Sequence, residues 1–100
     1  MKFCVTWTIP QDKWLPVIKT FTSMSPKERA DAGVGVKIVG RWHDAAARTG
    51  VVIFEANDLL AVQRYAGKWN PYMDLTIAPV VDDEGAVTVY KQMLADQKAA

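Results

Sequence analysis

A β-α-β-β-α-β order of strand-like and helix-like patterns, closed by an amphipathic tail, predicts an α+β fold for this chain. With right-handed crossovers that order gives a four-stranded antiparallel sheet, its first and third strands central and its helices on one face. This is the ferredoxin-like arrangement with an additional C-terminal helix. One hundred residues hold one modest core, so residues 1–100 are read as a single domain, with the C-terminal helix over 82–98.

Residues 2–9 alternate, with Phe3, Val5, Trp7 and Ile9 on one side and Lys2, Cys4, Thr6 and Thr8 on the other, which is the period of a strand. After Pro10, the helical spacing of Trp14, Leu15, Val17, Ile18, Phe21 and Met24 predicts a helix, with Asp12 as its cap and Pro16 in or beside its first turn. Ser25-Pro26-Lys27-Glu28 reads as a capping box that opens a short extra turn, and Gly33 fits its end. Residues 34–43 are rich in β-branched side chains and 50–56 form a third strand, so the two make a hairpin about a turn over 44–49. Asn57 or Asp58 caps a helix whose inner stripe is Leu59, Val62, Ala66 and Trp69, and Asn70-Pro71 stops it. A fourth strand follows over 72–80. Acidic residues near its start and apolar residues at Val87, Tyr90 and Leu94 make the tail an amphipathic helix.

The formal net charge is only +1 and no long block of like charge occurs, which speaks against electrostatic capture of nucleic acid. The stretch 48–54 resembles an RNA-recognition strand, yet the expected pair of exposed aromatics is missing, so no nucleic-acid partner is expected. Apolar runs are too short for a signal peptide or a membrane span, and no membrane partner is expected. A lone Cys4 has no internal disulfide partner, and a reducing cytoplasm is the expected location. Val51-Val52-Ile53-Phe54 is apolar on both sides, so the sheet face away from the helices needs a cover as well. A second copy of the chain is the expected cover.

Gly40-Arg41-Trp42-His43-Asp44 places the only histidine at a strand end beside an arginine, a tryptophan and a carboxylate. Imidazole changes charge near neutral pH and can carry protons or bind anions. The topology gathers Thr8, Trp42, His43, Trp69, Asn70 and Tyr72 at one end of the sheet. Regular alternation puts Arg41 and His43 on one face and Ile38 and Trp42 on the other. With Ile38 and Trp42 turned to the helices, Arg41 and His43 share the partner-facing surface with Thr6 and Thr8.

These residues read as a ligand site. His43 acts as acid or base oriented by Asp44 or Asn70, and Arg41 pairs with an anion. Trp42 and Trp69 supply aromatic walls, and Thr6, Thr8, Asn70 and Tyr72 supply polar contacts. Opposed to this stand a solvent cap or subunit bridge for Arg41 and His43, and a core role for at least one tryptophan. On that view Asn70 is a helix stop and Tyr72 an edge-strand residue. Cys4 and Glu55 fall at the opposite end and read as a structural thiol and a surface or interface charge. One histidine, one cysteine and no acidic cluster leave a metal site without ligands, and no cofactor is implied.

Four pieces carry a family resemblance: the opening strand 1–8, Gly40 to Asp44, the aliphatic strand Val51 to Glu55, and Lys68-Trp69-Asn70. In them the chain resembles small uncharacterised proteins, a domain of unknown function, of the dimeric α+β barrel superfamily. The resemblance spans most of residues 1–84 and leaves the tail outside. It implies a homodimeric barrel and no particular reaction, because the superfamily includes cofactor-free oxygenases, isomerases, haem-degrading enzymes and stress-response barrels. The expected protein is a homodimer binding a small anionic or aromatic molecule in a pocket between sheet and partner. The alternatives are a cofactor-free oxygenase or isomerase using His43 for proton transfer, and a purely structural dimer. Whether the protein is an enzyme stays open.

Overall fold

The computed structural model describes residues 1–99. The chain runs β1 (Lys2–Thr8), α1 (Gln11–Ser23), α2 (Pro26–Ala30), β2 (Val36–Asp44), β3 (Thr49–Ala56), α3 (Leu59–Trp69), β4 (Asp74–Val80) and α4 (Asp83–Ala99). The four strands form one antiparallel sheet in the order β2-β3-β1-β4. The fold is ferredoxin-like α+β with a C-terminal helix, as the element order predicts. Pro79, which cannot donate to a ladder, falls in the edge strand β4.

Residues that alternate toward the helices make the core. Phe3 and Val5 of β1, Val52 and Phe54 of β3 and Val62 of α3 are almost fully buried. A neighbouring cluster of Ile9, Val17 and Met73 ties α1 to the end of the sheet. Local signals start the helices. The Ser25 hydroxyl accepts from the Glu28 amide at 3.1 Å while the Glu28 carboxylate accepts from the Ser25 amide at 2.9 Å, the reciprocal pair expected of a capping box. Asp58 accepts from the Leu60 amide at 2.9 Å and opens α3.

Three local expectations are corrected. Pro10, not Asp12, is the residue before α1, so Asp12 sits inside the first turn and Pro16 lies beyond it, within the helix. Thr20 donates its hydroxyl to the Pro16 carbonyl at 3.0 Å. Tyr72 is not in β4: its amide donates to the Trp69 carbonyl at 2.9 Å, prolonging the turn after α3 until the strand starts at Asp74.

The third correction positions the site. β2 carries an irregularity between Ile38 and Gly40: Ile38 pairs with Phe54 and Gly40 with Ile53, so Val39 is an extra residue. A bulge of this kind reverses the alternation beyond it. Arg41 therefore pairs with Val52 and His43 with Gly50, on the helix-covered face, whereas Trp42 pairs with Val51 on the open face. Gly40 lets the Trp42 indole lie along its own strand, since a Cβ there would run into that ring.

α4 has no buried residue, and the molecule measures 55 × 28 × 19 Å, so this helix projects from the sheet-and-helix body. Among the described residues no helix is long and apolar enough to cross a membrane.

Candidate functional site

A cavity of about 170 Å³ lies between the covered face of the sheet and helices α1 and α3 of the same chain. Its walls are overwhelmingly apolar, and its polar side chains are few: Thr22, Arg29, Arg41, His43 and Tyr65, besides the indoles of Trp7 and Trp69. A mostly apolar concavity with a few convergent polar groups is the usual form of a small-molecule site.

Gly50 explains why two distant strands meet in the cavity wall. It stands between Trp7 of β1 and His43 of β2 in the ladder, and a Cβ on it would collide with the Trp7 ring. The indole therefore lies over Gly50 and meets the His43 imidazole edge-on, with ring centroids 5.4 Å apart. From the helix side Phe21 approaches the same imidazole at 5.1 Å. The imidazole stays exposed at the cavity rim, and the desolvation it meets beside these rings, and then the nearby Arg41 charge, hold His43 below the ordinary imidazole range. Among the described residues no hydrogen bond to it is formed by Asp44 or Asn70. The Asp44 carboxylate instead accepts from the Ala47 amide at 3.2 Å and shapes the hairpin turn.

Arg41 is held by neutral acceptors. One terminal nitrogen donates to the Arg29 carbonyl at 3.1 Å and the other to the Tyr65 hydroxyl oxygen at 3.3 Å. Its guanidinium lies 5.6 Å from the Phe21 centroid and that of Arg29 lies 5.7 Å from the same ring. Arg29 in turn donates to the Met24 carbonyl at 2.6 Å, which ties the α1–α2 corner together. Tyr65 is fixed edge-on against Phe54 at 5.4 Å.

The family model of the domain of unknown function DUF3303 matches residues 1–94. The chain belongs to the DUF3303 family. The matched region contains every residue of the cavity wall and reaches well into α4, further than the resemblance in the sequence extends. No curated protein matches this DUF3303 chain.

Of the residues singled out in the DUF3303 sequence, Arg41, His43 and Trp69 line the cavity together. Thr6, Thr8 and Trp42 are exposed on the open face, and Asn70 and Tyr72 are exposed in the turn after α3. The pairing of Arg41 and His43 with Thr6 and Thr8 on one face does not hold, because the bulge at Val39 turns the first two inward. Cys4 is half-buried on the open face, and Glu55 pairs with Lys2 and the terminal amine at 3.4 Å each, far from His43. Trp7, Phe21, Arg29 and Tyr65 complete the site and were not picked out as functional. Tyr65 had a signal, since it falls three residues after Val62 and four before Trp69, within the inner stripe of α3.

Proposed function

We propose that this DUF3303 domain binds a small, largely apolar molecule in the cavity beneath α1 and α3, and that it does so as a homodimer. The cavity carries the first part: about 170 Å³ of space walled by aromatic and aliphatic side chains, with Arg41, His43 and Tyr65 as polar groups. A cavity of ~150 Å³ accommodates benzene, so the ligand has on the order of six to ten non-hydrogen atoms. Titration with benzyl alcohol, read by the fluorescence of Trp7 and Trp69, gives saturable one-to-one binding on this reading. Ala66→Met, which fills part of the cavity from α3, abolishes it while the domain stays folded. A linear, unsaturable response in the parent protein defeats the proposal.

Self-association is supported by apolar surface that stays exposed among the described residues. Trp42 is 59% exposed on the open face, and Tyr90, Met93 and Leu94 of the projecting α4 are 61, 54 and 66% exposed. Sedimentation at micromolar concentration tests it, and a stable monomer contradicts it. A free thiol at Cys4 suits a reducing cytoplasm.

Proton transfer is the second reading, favoured by one observation: the imidazole of His43 lines the same cavity as the Arg41 cation. His43 then acts as base on a carbon acid whose developing oxyanion rests on Arg41. Exchange of the methyl protons of acetophenone in D2O, lost in His43→Gln, supports this reading, and no exchange above buffer refutes it.

A further inference from the structure

We infer that the ligand is a planar aromatic monocarboxylate whose carboxylate is held by Arg41, an assignment that rests on the cavity reading above. Arg29 and Arg41 are the two charged side chains in the cavity wall, and no aspartate or glutamate lines it. Among the described residues the ion pairs are those of Glu55 at the far end of the sheet, so neither guanidinium has a carboxylate partner. Arg41 is only partly exposed, and a cation kept in apolar surroundings without a counter-charge is costly. An entering anion removes that cost. Of the five guanidinium N–H groups, two are committed to Arg29 and Tyr65, and the other three have no hydrogen-bond partner among the described residues. Charge-assisted bonds from arginine suit the planar geometry of a carboxylate.

The remaining walls select the rest of the molecule. Trp7, Phe21, Phe54, Tyr65 and Trp69 face a volume close to that of one ring with a small substituent, and aromatic rings pack against one another edge-on or offset. A monoanion fits better than a dianionic phosphate, because desolvation in so apolar a cavity rises steeply with charge.

Calorimetric titration of the protein at pH 7 with benzoate, benzyl alcohol, hexanoate and phenyl phosphate tests the assignment. Benzoate is expected to bind at least about tenfold more tightly than each of the others, the order of a charge-assisted hydrogen bond. In Arg41→Gln the advantage of benzoate over benzyl alcohol disappears, while retained binding of benzyl alcohol reports an intact cavity. Equal affinity for benzoate and benzyl alcohol, an equal or better hexanoate or phenyl phosphate, or full benzoate selectivity in Arg41→Gln each overturn the assignment and leave the cavity reading standing. Failure of all four probes overturns the cavity reading and the assignment with it. A parent-protein measurement covers the case in which the variant does not fold. Saturating benzoate raises the titration midpoint of His43 by offsetting the Arg41 charge and benzyl alcohol does not, whereas equal midpoints with the two ligands overturn the assignment.

Discussion

On the covered face of the sheet Phe3, Val5, Val52 and Phe54 are almost fully buried, whereas their neighbours on the open face, Thr6, Val51 and Ile53, are half-buried or exposed. Both faces of β3 are equally apolar in sequence, so hydrophobicity alone does not say which side is filled from within the chain. The difference lies in what the helices reach: Val62 and Ala66 of α3 and Val17 of α1 close one side, and among the described residues no helix closes the other. Polar chemistry also sorts unevenly, because Arg41 and the exposed His43 stand on the helix side of the sheet while the open face keeps Thr6, Thr8 and Trp42.

The largest way to test that contrast is to truncate matched neighbours on β3. Phe54→Ala removes a ring that is 1% exposed and braces Tyr65, and is expected to cost about 3–5 kcal/mol in urea unfolding. Ile53→Ala, on the open face, is expected to cost less than half as much at protein concentrations where the chain is monomeric. Equal losses would mean that the two faces are equally packed within one chain.

Gly50→Ala sharpens the comparison at a single position. A methyl group on the covered face must displace the Trp7 indole, at a cost of about 1–3 kcal/mol. It also breaks the Trp7–His43 contact, so binding of benzyl alcohol falls together with stability. Unchanged thermal stability and binding would show that Trp7 does not rest on Gly50. The smallest effect belongs to a glycine facing neither surface of the sheet. A Cβ at Gly67 of α3 meets nothing within 4 Å, so Gly67→Ala should stabilise the protein by about 0.5–1 kcal/mol through helix propensity, and destabilisation in the same melt would contradict it.

The element order was legible because each element carries a local physical signature. The alternation of Phe3, Val5 and Trp7, the Ser25–Glu28 box and the Asp58 cap need no tertiary information. The placement of Arg41 and His43 was not legible by alternation, since one extra residue at Val39 leaves the hydropathy of β2 unchanged while reversing every side chain after it. A glycine inside a strand is the available hint, because it marks a bulge or a close approach, and Gly40 does both here. The gathering of strand ends at one side of the sheet was readable from topology alone, which is why His43 and Trp69 were found together. Phe21 and Arg29 join them only through the packing of α1 and α2 over the sheet, a long-range event with no local mark.

The placement of His43 on the helix side of the sheet, at the cavity rim, is the central claim, and its imidazole titration by NMR tests it most directly because the chain has a single histidine. The ring is expected to titrate below the ordinary value of 6.5, with ring-to-ring contacts to Trp7 and Phe21 and with a rise in Arg41→Gln as the neighbouring charge is removed. A folded value below the unfolded one means that the stabilisation linked to His43 is complete above pH 6.5 and is lost as pH falls through the folded midpoint. A midpoint at or above 6.5, with ring contacts to Trp42 or Val51 instead, would place His43 on the open face and contradict the site.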